Sequence, residues 1–162
     1  MKLKPIIHWF LILACASCTF AADNTARQKD EDDIQEAVLR ELFDRNPSTL
    51  QKRATAYYLA IGEKKGADPT EEFLKRFAGH KPPVLKRSAA ALSPDQGVVT
   101  DKQTGGRGLI FRLYGVKWLS ESEAELRGGC AESAADSLVN TYTVKKDNGK
   151  WKVTKSAGFR KA

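Results

Sequence analysis

The chain has 162 residues, 41% of them hydrophobic and 29% charged, with a formal net charge of +7 and three cysteines. That is enough material for one domain with a core of its own and no disulfide framework. No apolar run reaches the roughly 20 residues that a membrane-spanning helix needs, so the composition predicts no transmembrane span in the mature chain.

The first residues, MKLKPIIHWFLILACASCTFAAD, carry Lys2 and Lys4, then an apolar run from Ile6 to Ala14, then small residues. This is the charged, hydrophobic and cleavage order of a secretory signal, and it predicts an extracytoplasmic protein, periplasmic or secreted. Thr19 and Ala21 predict cleavage after Ala21, which makes 1–21 a signal peptide. The stretch LACASC competes as a loose lipobox with Cys15 or Cys18 as the acylated residue, Cys18 being the candidate lipidation site of a membrane-anchored lipoprotein. Cleavage removes Lys2 and Lys4, lowering the formal charge from +7 to +5. It leaves Cys130 as the one cysteine, read as a small apolar residue packed in a strand, with an intermolecular bridge or a reactive thiol as the alternatives.

Residues 22–31 are polar and acidic and read as a flexible arm, 32–157 as a single domain, and 158–162 as a basic tail. A helix is expected to start near Asp32, where Ile34, Ala37, Val38, Leu39, Leu42 and Phe43 form one broad apolar stripe. Glu36 with Arg40 and Glu41 with Arg45 make i,i+4 pairs outside it, and Asn46-Pro47 stop it. In RATAYYLAIG, Tyr57, Leu59 and Ile61 alternate with Ala56, Tyr58 and Ala60, as in a strand buried on both faces; Leu50, Ala54, Tyr57 and Ile61 also fit a helical stripe.

ADPTEEFLKRFAGHKPP predicts a short helix over Pro69 to Ala78, capped by Asp68 with Glu71 and stopped by Gly79, with Phe73, Leu74 and Phe77 for docking. Val84 to Leu92 reads as a weak strand, and Thr104-Gly105-Gly106 as a turn. Leu109 to Leu119 is the central strand, with Gly115 marking a bulge or a close approach. After the turn at Ser120 to Glu123, Ala124, Leu126, Gly128 and Cys130 share one face.

Asn148-Gly149 is a two-residue type I′ hairpin loop. It sets Asp147 opposite Lys150, Lys146 opposite Trp151, Val144 opposite Val153 and Tyr142 opposite Lys155. Leu138, Tyr142, Val144, Trp151 and Val153 then line one face, and Thr143, Lys145, Lys152 and Thr154 the other. The expected fold is α+β: a curved antiparallel β-sheet of about five to six strands, ending in a C-terminal meander, packed on one N-terminal helix and one short helix.

This element order over residues 32 to 157, with YTVKKDNGKWKV as its closing hairpin, resembles the NTF2-like and cystatin-like α+β rolls. The resemblance implies a curved sheet wrapped around helices. For the NTF2-like case it also implies a pocket enzyme, a lyase, isomerase or hydrolase acting on a small molecule through His, Asp or Tyr. The stretch from YLAIG through DPTEEFLKRFAGHKPPV is similar to that of secreted bacterial proteins of uncharacterised function, which implies an exported setting and no activity.

The residues themselves argue for binding over catalysis. His80 is the one histidine after the signal segment and has no evident orienting partner, so it reads as a helix-end or solvent-exposed group. TGGRG lacks both the GxGxxG and the Walker Lys-Ser/Thr pattern, and it precedes a strand, so it reads as a hairpin turn and not a phosphate cradle. No catalytic, cofactor-binding or metal-ligating residues, and no cofactor, are predicted. Two binding surfaces are: a pocket lined by Tyr57, Arg112, Tyr114 and Trp118 for a small ligand, and a contact for an anionic envelope surface through Lys145, Lys152 and Lys155. The same rings read otherwise as core, and the same lysines as the wet side of an edge strand. Nucleic acid is excluded by the compartment and by the absence of a stacking platform. The function expected is a non-enzymatic binding or interaction module at the cell envelope or outside.

Overall fold

The computed structural model of the protein describes residues 17–45, 48–62, 66–93, 97–133 and 137–161. Helix α1 spans Ser17–Arg45. Strand β1 (Tyr57–Ile61) and the short helix α2 (Glu71–Lys75) follow. Strand β2 (Val84–Lys86) leads through a 3₁₀ turn at Arg87–Ala89 into β3 (Ala90–Leu92), and then β4 (Val99–Asp101). The meander is β5 (Leu109–Ser120), β6 (Glu123–Ala131), β7 (Ser137–Asp147) and β8 (Lys150–Lys161). The fold is α+β. An open six-stranded sheet runs β2-β1-β5-β6-β7-β8, and β3 and β4 form a separate two-stranded ribbon.

The β5 to β8 meander is antiparallel, whereas β1 pairs in parallel with both β2 and β5. Parallel neighbours need a long crossover, and the segment through α2 supplies one between β1 and β2. The Val84–Leu92 strand breaks at the 3₁₀ turn, so its first half extends the main sheet and its second half leaves for the ribbon.

Helix α1 lays Ile34, Val38, Leu39, Leu42 and Phe43 on one face of the sheet, where they meet Tyr57, Leu59, Leu109, Phe111, Leu113, Leu126, Tyr142, Val144 and Trp151. Phe43 is the hub of this layer, with ring centroids 5.1 Å from Tyr57, 4.8 Å from Phe111 and 5.5 Å from Phe77. Burying each such ring is worth about 1.5–3 kcal/mol. The other face of β1 is covered as well, because Ala56, Tyr58 and Ala60 pack with Ala90, Val99 and Ile110 beneath the ribbon. Gly128 faces α1, and a β-carbon there would lie 2.8 Å from Leu113 Cδ2 and 3.2 Å from Leu42 Cδ1. Its missing side chain therefore sets how close the helix approaches.

Three expected boundaries move. Residues 22–31 are part of α1 and not an arm. Composition hides this because the docking is polar: the Arg27 guanidinium lies 3.7 Å from the Trp118 ring centroid, Trp118 Nε1 donates to Glu31 at 3.2 Å, and Trp151 Nε1 donates to Asp30 at 3.0 Å. Lys146 Nζ closes the same carboxylate at 2.8 Å. Helix α2 is capped by Thr70, whose hydroxyl accepts from Phe73 N at 3.1 Å, while Asp68 accepts from Ser88 N at 2.8 Å instead. Strand β8 continues through residues 158–161, pairing Arg160 with Val139 and Lys161 with Leu138, where a tail was expected.

The closing hairpin turns at Asn148 and Gly149, both at positive φ (49° and 76°) as a type I′ turn requires. Asp147 pairs with Lys150, Lys146 with Trp151, Lys145 with Lys152 and Val144 with Val153, as the turn dictates. A register shift then follows, which places Lys155 opposite Thr143 and Ser156 opposite Tyr142, so the expected Tyr142 to Lys155 pairing is displaced by one. Arg76 ties α2 to α1 through Asp33 and Glu36, each at 2.8 Å. Among the described residues, no helix is long and apolar enough to cross a membrane.

Gly128→Leu drives a branched side chain between α1 and β5. It lowers stability by about 1–3 kcal/mol, read as a reduced urea midpoint with the sheet spectrum retained. For Asp30, desolvation is the largest influence and raises its pKa, but hydrogen bonds from Lys146 and Trp151 outweigh it and hold the carboxyl below its ordinary 3.8. A depressed folded-state pKa gives stability that is present above the ordinary value and is lost as pH falls through the folded one. Asp30→Asn is therefore less stable than wild type at about pH 7, and the gap narrows as pH falls below the ordinary carboxyl value, as followed by tryptophan fluorescence in urea.

Candidate functional site

The four side chains grouped as one pocket divide between the two faces of the sheet. Tyr57 is sealed in the helix-side core between Phe43 and Phe111. Trp118 is on that side too, at the far end of β5, with its ring 5.5 Å from Trp151. Arg112 and Tyr114 lie on the opposite face. Alternation along β5 separates Arg112 from Phe111 and Leu113, and a register shift between Leu113 and Val116 returns Val116 and Trp118 to the helix side. Gly115 sits inside that shift.

Arg112 and Tyr114 line a cleft of about 130 Å³ on the outer face. It forms because the β3–β4 ribbon covers β1 and the start of β5 but leaves the neighbouring stretch of β6 and β7 bare. One wall is the ribbon side, with Arg87 and Leu92, and the opposite wall is Val139; Ile110 lies between them, and Ser133 and Cys130 also contribute. Arg87 was not expected here. Its place follows from the 3₁₀ turn, which no pattern in Val84 to Leu92 marks.

The cleft's polarity comes from two guanidinium groups. Arg87 Nη1 donates to Ala90 O at 3.0 Å, which fixes the side chain across the turn. Arg112 has no hydrogen-bond or ion-pair partner among the described residues, and its Nε is sealed from solvent. Among the described residues that line the cleft, none is acidic. The sealed Nε does not itself face a ligand in the cleft; what Arg112 brings to the lining is a positive charge.

The other candidate groups are engaged structurally. The Cys130 thiol is buried, and burial, with the nearby Glu132 charge, pushes its pKa up to about 11, which keeps it a protonated, weak nucleophile. His80 Nδ1 donates to Pro82 O at 2.7 Å, and its ring packs 4.9 Å from Phe43. The TGGRG turn folds around Asp101, whose Oδ1 accepts from Gln103 N at 2.9 Å and Thr104 N at 2.8 Å. Tyr58 donates to Asp101 Oδ2 at 2.7 Å. This Tyr-Asp pair is a latch: desolvation, then the hydrogen bond to Asp101, pushes the phenol far above its ordinary range and keeps its proton in place.

Lys145, Lys152 and Lys155, the three lysines expected to contact an anionic surface, are exposed, and two of them have acidic partners. Lys145 pairs with Glu123 at 3.3 Å and Lys152 with Asp147 at 2.7 Å, while Lys155 stands exposed on β8. Cys18 lies near the start of α1, and residues 1–16, with most of the expected signal segment, lie outside the described residues. Among the described residues no group of three or more His, Cys, Asp or Glu is placed to hold a metal.

Tyr58→Phe removes one donor from Asp101 and leaves the turn's own donors. The expected cost is about 1 kcal/mol in unfolding free energy, and an unchanged urea midpoint would show that the latch does not hold the ribbon. Comparison of the chain with protein families, with curated proteins and with solved structures finds no match.

Proposed function

We propose that the chain is an exported, non-enzymatic binding module whose ligand seat is the outer cleft. The observation that carries this reading is Arg112, a guanidinium without a side-chain partner among the described residues, lining a cleft whose described lining holds a second arginine and no acid. Evolved binding sites combine apolar walls with a few polar groups that fix orientation, and Ile110, Leu92 and Val139 supply the walls here.

Catalysis draws less support from the same geometry. General acid-base chemistry most often uses His, Asp or Glu, and none of these is among the described residues that line the cleft. An NTF2-like pocket enzyme would work between helix and sheet, where Phe43, Tyr57, Phe111 and Leu113 are packed together. A contact with an anionic surface through Lys145 and Lys152 is weakened by the acids already beside them.

The signal-like order of residues 1–21 supports export. Cleavage after Ala21 would keep Arg27, Asp30 and Glu31, the groups that dock the start of α1. Mass spectrometry of the protein from its own host tests both parts. Under denaturing conditions the expected mass is that of a chain starting at Ala22; a diacyl adduct on Cys18 would replace simple cleavage with lipid anchoring. Under native conditions a small retained ligand is expected, and it is lost in Val139→Trp, which fills the cleft. A ligand retained equally by that variant would place the seat elsewhere.

A further inference from the structure

Resting on that reading of the cleft, we infer that its ligand is a small carboxylate joined to one compact apolar group about the size of a phenyl ring. Size comes first. The cleft offers about 130 Å³, comparable to the roughly 150 Å³ cavity that accepts a benzene molecule. Nucleotides, oligosaccharides and folded peptides are too large to be enclosed, so the part recognised is a few heavy atoms across.

Charge and shape then select the head group. Arg87 and Arg112 contribute two cations to the cleft's lining, with no acid among the described lining residues. Arg87 has spent one nitrogen on Ala90 O, whereas Arg112 keeps its donors uncommitted among the described residues. A planar fork matches the two oxygens of a carboxylate, with each bond strengthened by charge. A free phosphate would satisfy the arginines and leave Leu92 and Val139 facing water. An uncharged ring would cover those side chains and leave the two guanidinium charges without a counter-charge. A molecule bearing both parts meets both walls at once.

The test uses the whole chain, with signal processing left intact, and four probes: benzoate, benzyl alcohol, benzylamine and inorganic phosphate. Affinities are read by titration, and the site by chemical shifts of Ile110, Val139 and the Arg112 Nε–H. Benzoate is expected to bind at least tenfold more tightly than the other three and to move the Arg112 Nε–H resonance. Arg112→Gln should weaken benzoate at least tenfold and leave benzyl alcohol unchanged. Arg112→Lys, which keeps the charge without the fork, should recover only part of the loss. If Arg112→Gln does not fold, Val139→Phe, which narrows the cleft with both arginines in place, should weaken benzoate to the same degree.

Phosphate or benzyl alcohol matching benzoate, or variants that leave benzoate binding unchanged, would overturn the carboxylate inference; shifts still confined to the cleft would then leave the proposed seat standing. Shifts that map elsewhere, or no shift with any probe, would overturn both.

Discussion

Two-sided burial of β1 is the constraint on which the rest of the architecture depends. A strand with Tyr57 and Leu59 on one side and Ala56, Tyr58 and Ala60 on the other has no face to give to water. The helix layer covers the first set, and a third layer must cover the second. The short β3–β4 ribbon is that layer, held by the hydrogen bond from Tyr58 to Asp101 and by Val99 and Ala90 beneath it. Because the ribbon is only as wide as β1 and the start of β5 require, the outer face of β6 and β7 next to it stays uncovered. The cleft is a by-product of satisfying β1, and Arg112, one residue past the hydrophobic face of β5, is where that by-product acquires charge.

The electrostatic division of the chain resolves by internal pairing. The acidic start of α1 meets the basic closing hairpin through Asp30 and Lys146, with the indoles of Trp118 and Trp151 donating to Glu31 and Asp30. Such contacts are individually modest at a surface, but these enclose aromatic rings and so combine hydrogen bonding with burial. The same helix joins α2 through Arg76, Asp33 and Glu36. Charges that look like a surface for a partner are thereby partly consumed in holding the two ends of the chain together.

Local patterns were the readable part. The apolar stripe of Ile34 to Phe43, the alternation around Tyr58, the Asn148-Gly149 turn and the shared face of Leu126 and Gly128 each depend on residues within one element, and each is visible in order. What escaped depends on distance. The acidic segment before Asp32 looked flexible because its partners, Trp118 and Trp151, lie far away in sequence. Thr70 displaced Asp68 as the cap because Ser88, from another segment, claims the Asp68 carboxylate. The pocket grouping failed for a related reason: a register shift inside β5 reverses the alternation, so Arg112 and Trp118, both at even positions, face opposite ways. Arg87 was missed because only the break in Val84 to Leu92 brings it across the sheet.

The 3₁₀ turn at Arg87–Ala89 has a structural consequence for the cleft. It is the corner at which the backbone leaves the main sheet for the ribbon, and it carries one of the two cleft arginines. The gap between the guanidinium groups is therefore governed by how the ribbon seats, while the sheet that bears Arg112 stays fixed. Lengthening or tilting that corner would change the spacing of the two guanidinium groups, so the seating of a short ribbon sets the aperture of the cleft.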